Sequence, residues 1–144
     1  MKRIARSAIV ERSAQELYAL VEDIESYPEF LTWCAGTTVH ERSAERTVAS
    51  MKIGVKGLKI YFTTENRNVP GRSIDMQLVE GPFKRFAAAW RFTALAPTAA
   101  KIEFSVEYEF ANRVIAKALE PAFNRIAEDM VEAFTRRAAV RGRG

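Results

Sequence analysis

The stretch KIEFSVEYEFANRVIAKALEPAFNRIAEDMVEAF, Lys101 to Phe134, changes its hydrophobic period halfway, and that change decides the fold. Up to Phe110 the pattern alternates: Ile102, Phe104, Val106, Tyr108 and Phe110 share one face, opposed by Lys101, Glu103, Glu107 and Glu109. Such alternation belongs to a strand with one wet side. After Ala111-Asn112 the spacing becomes helical, and Ile115, Leu119, Phe123, Ile126, Met130, Val131 and Phe134 form one apolar stripe. Glu120, Arg125, Glu128, Asp129, Glu132 and Arg136 cover the other faces. Pro121 lacks a donor N–H and its ring crowds the carbonyl of Lys117, so a kink or break is expected near residues 117 to 121.

Upstream the alternation already runs for some seventy residues from Thr37, as an antiparallel sheet with one buried face requires. Ala49, Met51, Ile53 and Val55 share a face, and Leu58, Ile60 and Phe62 share the next after a turn at Lys56-Gly57. Ile74, Met76 and Leu78 follow Val69-Pro70-Gly71-Arg72, whose Pro and Gly suit the centre of a type II turn. Phe86, Ala88, Trp90 and Phe92 come next. Before the sheet, residues 2 to 11 read as a first strand. Ser13-Ala-Gln-Glu16 then forms a capping box ahead of Leu17, Leu20, Val21 and Ile24 at helical spacing. Ser26-Tyr-Pro-Glu29 repeats the device, with Pro28 inside the first turn of a short second helix. The order is β, α, α, six strands, long α. A sheet apolar on one face and a helix apolar on one stripe must bury each other, which gives a two-layer α+β domain.

The chain has 144 residues, 48% of them hydrophobic, enough for one domain with a real core. A single domain over residues 1–144 is expected, with a basic tail at about 136–144. One cysteine, Cys34, excludes an intrachain disulfide and a thiolate metal cluster, and one histidine, His40, leaves little for nucleophilic catalysis. His40, within VHERS, is expected on the surface, and Asp75, alternating with Ile74 and Met76, should face solvent. Tyr108 is then a phenol without a base. No enzymatic activity, metal or cofactor is expected. No apolar run approaches the length of a membrane span, and Lys2, Arg3 and Arg6 lead into an alternating segment rather than a signal core, so a cytoplasmic protein is expected. The net charge of +4 lives at the ends: Lys2, Arg3 and Arg6 at one, and Arg136, Arg137, Arg141 and Arg143 at the other. Two readings of these ends stand side by side: a solvated tail that keeps the protein soluble, or an electrostatic foot in which the four C-terminal arginines, with Lys2, Arg3 and Arg6, meet ribosomal RNA or an anionic membrane surface.

The runs YPEFLTWC (27–34), GPFKRFAAAWRF (81–92) and MVEAFTRRA (130–138) resemble the coenzyme Q-binding branch of the START-related, polyketide cyclase-like helix-grip proteins. That branch also contains bacterial ribosome-association toxins. Thr32 departs from it, standing where the branch commonly has proline. The resemblance implies a curved antiparallel sheet of six or seven strands wrapped round the C-terminal helix, two short helices after the first strand, and an apolar tunnel between sheet and helix. Its expected wall is Phe62, Met76, Leu78, Phe83, Ala88, Trp90 and Tyr108 from the sheet and Phe123, Ile126 and Met130 from the helix. Phe30 and Trp33 sit at its lip, and Tyr108 is the expected head-group contact. The implied ligand is a polyprenyl quinone (ubiquinone) or similar lipid, carried in support of respiration, with peripheral contact at the inner membrane face. The alternative is a toxin that binds the large ribosomal subunit and blocks subunit joining.

Overall fold

The structure is a computed structural model that describes residues 1–55 and 57–141, apart from the side chains of Val55 and Arg141. The expected Lys56 half of the Lys56-Gly57 turn, the placement of the Val55 side chain, and the positions of the Arg141 side chain and of Arg143 lie outside the described residues. Seven strands form one antiparallel sheet: β1 (Lys2–Val10), β2 (Cys34–Arg42), β3 (Arg46–Val55), β4 (Leu58–Val69), β5 (Ser73–Glu80), β6 (Phe83–Ala96) and β7 (Ala99–Phe110). Their spatial order is β1-β7-β6-β5-β4-β3-β2. Strands β2 to β7 are therefore a simple meander, and β1 adds to its far edge. The chain passes from one edge to the other through α1 (Ala14–Glu22) and a 3₁₀ turn (Ile24–Glu29), and α2 (Arg113–Arg141) packs against β1, β7 and α1.

Local chemistry explains most boundaries. Ser13 Oγ accepts from the Glu16 N–H at 3.1 Å while the Glu16 carboxylate accepts from the Ser13 N–H at 3.2 Å, the reciprocal cap that starts α1. Asn112 Oδ1 accepts from the Ile115 N–H at 2.9 Å and starts α2. At the β4–β5 hairpin Gly71 has φ 75°, and the Arg72 N–H donates to the Val69 carbonyl at 2.9 Å, as a type II turn requires. Along β7 burial alternates residue by residue through the whole strand.

Three local expectations are corrected. Ser26 does not start a second α-helix: it lies inside the 3₁₀ turn, its hydroxyl donating to Asp23 Oδ2 at 2.6 Å, and the turn ends at Glu29. The segment is held instead by Tyr27, whose buried hydroxyl donates to the Val21 carbonyl and whose own carbonyl accepts from the Leu31 N–H. The break near residues 117 to 121 is absent, and α2 runs through Pro121 as one helix. Lys117 and Pro121 are exposed, so the carbonyl that Pro121 leaves without a partner faces water, where the loss is small. The basic C-terminal segment is also helical up to Arg141, and Ala138 within it is buried.

Gly81, between β5 and β6, has φ 158°, and a Cβ there would lie 2.7 Å from Phe62 Cβ. Gly81→Ala is expected to lower stability by about 1–3 kcal/mol in urea denaturation, since neither the backbone nor the Phe62 backbone-proximal atoms have room to yield.

Candidate functional site

Between the sheet and α2 lies an enclosed apolar cavity. Its roof is Phe123, Ile126, Ala127 and Met130, one face of α2 at helical spacing. Its floor is made by alternate residues of five strands, among them Ala49, Met51 and Ile53 of β3, Phe62 of β4, Ile74 and Met76 of β5, Phe86 and Trp90 of β6, and Phe104 and Val106 of β7. Val21 and Ile24 with Tyr27 and Trp33 close the side. The cavity sits between two aromatic clusters. At one end Phe83 contacts Phe62, Phe86, Tyr108, Phe110 and Phe123, with centroids 4.8–6.2 Å apart. At the other, Phe134 meets Tyr27, Phe30 and Trp90 at 5.4, 5.2 and 5.2 Å. The cavity volume is ≈ 70 Å³.

A second, more open depression of ≈ 460 Å³ lies beside it, lined by Thr32, Gly54, Leu58, Ala118, Pro121, Ala122, Arg125 and Asp129. Trp33 and Ile126 line both spaces. These two side chains are the wall between an internal cavity and an external vestibule. The first turns of α2, exposed or half-buried up to Pro121, overhang the vestibule, and the β3–β4 hairpin forms its other lip.

The inner face of the β3–β4 hairpin turns polar away from the vestibule. Thr47, Thr64, Asn66 and Asn68 are all buried and all line the cavity. Thr64 Oγ1 donates to Asn66 Oδ1 at 2.8 Å and Asn68 Nδ2 donates to Thr47 Oγ1 at 3.1 Å. Sequence reading stopped the inward face of β4 at Phe62. Carrying the same period onward places Thr64, Asn66 and Asn68 inward, and three amide or hydroxyl side chains on a core face was the available signal.

The expected wall residues divide. Trp33, Phe62, Met76, Trp90, Phe123, Ile126 and Met130 line the cavity. Phe83 and Tyr108 instead pack into the aromatic cluster beyond its end, where the Tyr108 hydroxyl is buried without a hydrogen-bond partner among the described residues, and burial pushes its phenol well above the usual range. Tyr108 is thus not placed as a head-group contact in this cavity. Ala88 is buried between Met76 and Val106 in the ladder, and those two neighbours line the cavity in its stead. Leu78 packs near Gly81, and Phe30 packs on Tyr27 and Phe134.

Of the arginine foot, the side chains of Arg136 and Arg137 are described, and Arg137 is engaged in the fold. Arg137 has a side chain only 17% exposed, lies 4.9 Å from the Phe30 ring centroid, and donates to Glu29 at 2.9 Å. Arg136 pairs with Glu132 at 2.6 Å, and at the N-terminus Arg3 pairs with Glu107 and Arg6 with Glu128. Of the catalytic candidates, His40 is exposed and its Nε2 lies 2.7 Å from Ser50 Oγ, which itself meets Thr63 Oγ1 at 2.5 Å. Asp75 pairs with Arg91 at 2.8 Å on the solvent face. Cys34 is buried, and burial raises its thiol, which keeps it protonated.

A long helix laid over an open antiparallel meander, with a cavity between them and an overhung vestibule, defines a helix-grip ligand-binding domain. Residues 10–135 match the model of the polyketide cyclase / dehydrase and lipid transport family, and the chain belongs to that family. It is 45% identical to a protein of Vibrio cholerae named ribosome association toxin RatA, over 96% of both chains. It is 24% identical to the coenzyme Q-binding protein COQ10 homolog B of Xenopus laevis, over 95% of this chain and 59% of that one. The Zhui aromatase/cyclase of a Streptomyces species shares the fold at a TM-score of 0.84, covering 97% of this chain and 94% of that one at 15% identity. The names of the first two relatives describe binding and association rather than a reaction.

Two outcomes test this geometry. Trp33→Ala removes half of the wall between cavity and vestibule, and stopped-flow binding of an apolar fluorescent dye should accelerate on the order of tenfold, which corresponds to about 1.4 kcal/mol off the opening barrier. Arg137→Ala should lower the thermal midpoint by an amount equivalent to about 1 kcal/mol, through the lost contact with Phe30 and the lost packing of its stem.

Proposed function

We propose that this chain binds one apolar lipid between its sheet and α2, with a polyprenyl quinone such as ubiquinone as the ligand class, and that it acts as a carrier or chaperone for that lipid in support of respiration. The observation that carries this reading is the apolar cavity that shares Trp33 and Ile126 with an open vestibule. At ≈ 70 Å³ the closed cavity is far smaller than the several hundred Å³ that a ligand of this size fills. Binding therefore involves parting these two side chains and joining the cavity to the ≈ 460 Å³ outside. Met51, Met76 and Met130 line the closed space and are the side chains best able to repack around a tail. The driving force is tail burial, about 0.8 kcal/mol per methylene, enough for a few isoprenoid units to give useful affinity. In this reading the protein works in the cytoplasm and loads by peripheral contact at the inner membrane face; no helix among the described residues is long and apolar enough to cross a membrane.

A second reading, association with the large ribosomal subunit, is supported by the names of relatives 41–45% identical along nearly all of this chain, a closer likeness than that to the coenzyme Q-binding relative. The two readings separate on one preparation. Native mass spectrometry and solvent extraction of freshly purified protein from a quinone-producing bacterium should return a quinone or other long-chain lipid at up to one molecule per chain. Lipid-free protein that co-sediments with large subunits and blocks their joining would overturn the carrier reading in favour of the ribosomal one.

A further inference from the structure

The polar end of the cavity is chemically specific in a way that an unselective apolar tunnel is not. Asn68 is 5% exposed and lines the cavity. Its Nδ2 is used on Thr47 Oγ1, while its Oδ1 is buried with no hydrogen-bond partner among the described residues. Thr47, 1% exposed, accepts that bond with its oxygen and keeps its own hydroxyl proton to give. Next to them the Asn66 Oδ1 is already engaged by Thr64. A buried acceptor left empty keeps its desolvation cost without a compensating bond, so the site is incomplete without a donor.

Resting on the lipid-binding reading, we infer that Asn68 and Thr47 form a head-group subsite at the deep end of the cavity that selects ligands carrying a hydroxyl, bound head inward and tail toward the vestibule. A hydroxyl matches both groups at once, since it donates to Asn68 Oδ1 while accepting from Thr47 Oγ1. An ether or carbonyl oxygen only accepts and leaves Asn68 Oδ1 empty. The orientation follows from the strand: the vestibule is lined by Gly54 of β3 and the subsite by Thr47, seven residues apart along one strand. At about 3.3 Å per residue that separation is roughly 20 Å, so the polar end lies a full ligand length from Trp33. For an isoprenoid quinone couple, the same chemistry selects the hydroquinone over the quinone.

The test needs two probes that differ only in the donor. Geraniol and its methyl ether have the same tail and the same oxygen, and both tryptophans of the chain, Trp33 and Trp90, line the cavity and report occupancy by fluorescence. The alcohol should bind the parent protein roughly tenfold more tightly than the ether, in the range that one buried hydrogen bond gives. In Asn68→Leu the ratio should fall to within twofold while the ether binds at least as well as before, and Asn68→Ala, which also removes the Oδ1 acceptor, provides the same readout if the leucine variant fails to fold. Equal binding of both probes to the parent protein overturns the subsite and leaves the cavity reading standing. A preference for the alcohol that survives in folded variants also overturns it, and binding of neither probe overturns the cavity reading and the subsite together.

Discussion

One ring holds the domain in register. Phe134, on the last third of α2, is completely buried and meets Tyr27 of the 3₁₀ turn, Phe30 beyond it and Trp90 of β6 edge to face. Helix, connecting segment and sheet are thereby fixed to one another at a single point. Such contacts fix angle as well as distance, since edge-to-face geometry is directional where aliphatic packing is not. With α2 anchored there, its earlier turns extend away from the anchor, and before Pro121 they bury little. The overhang that shapes the vestibule follows from where the helix is fastened.

The second aromatic cluster, around Phe83 and Phe123, supports α2 again further back along its length. Two rigid supports with side chains of limited reach between them leave the middle of the interface unfilled. Small or flexible residues occupy that middle: Ala49, Ala127, Met51, Met76 and Met130. Interiors tolerate few voids, so a cavity kept open in this way stands out against ordinary core packing. The amide and hydroxyl side chains at its deep end point the same way, because a structural core of this size gains more from leucine than from an asparagine whose oxygen has no partner among the described residues.

The charges divide differently from the sequence totals. Arginines at both ends of the chain are joined to acids of the folded body: Arg3 to Glu107, Arg6 to Glu128, Arg136 to Glu132 and Arg137 to Glu29. Exposed pairs of this kind add little stability, and they place acidic groups beside the terminal arginines without changing the net charge of +4. Arg42 works similarly on the other side, tying Glu22 and Glu25 to the β2 edge, and its guanidinium holds the Glu25 carboxyl below the usual range. All of these pairs but Arg136–Glu132, which lies within one turn of α2, join segments separated in sequence.

Periodicity determined the order of the strands and the two α-helices, the inward faces of the strands and the stripe on α2, and local motifs determined the capping box at Ser13 and the turn at Gly71, because each depends on neighbours within a few residues. The resemblance carried by three short runs added the enclosed space and seven of the residues that line it. Tertiary structure decided the rest. Tyr108 and Phe83 share a face with true lining residues, but strand register sets them past the end of the cavity, in a cluster no single strand reveals. Arg137 reads as a free charge until Phe30 and Glu29 arrive beside it from more than a hundred residues away. Asn68 reads as a polar residue near a turn, and only the pairing of β3 with β4 under α2 makes it a buried amide whose oxygen lacks a partner. Period shows which way a side chain points; what stands opposite it is fixed by contacts between distant parts of the chain.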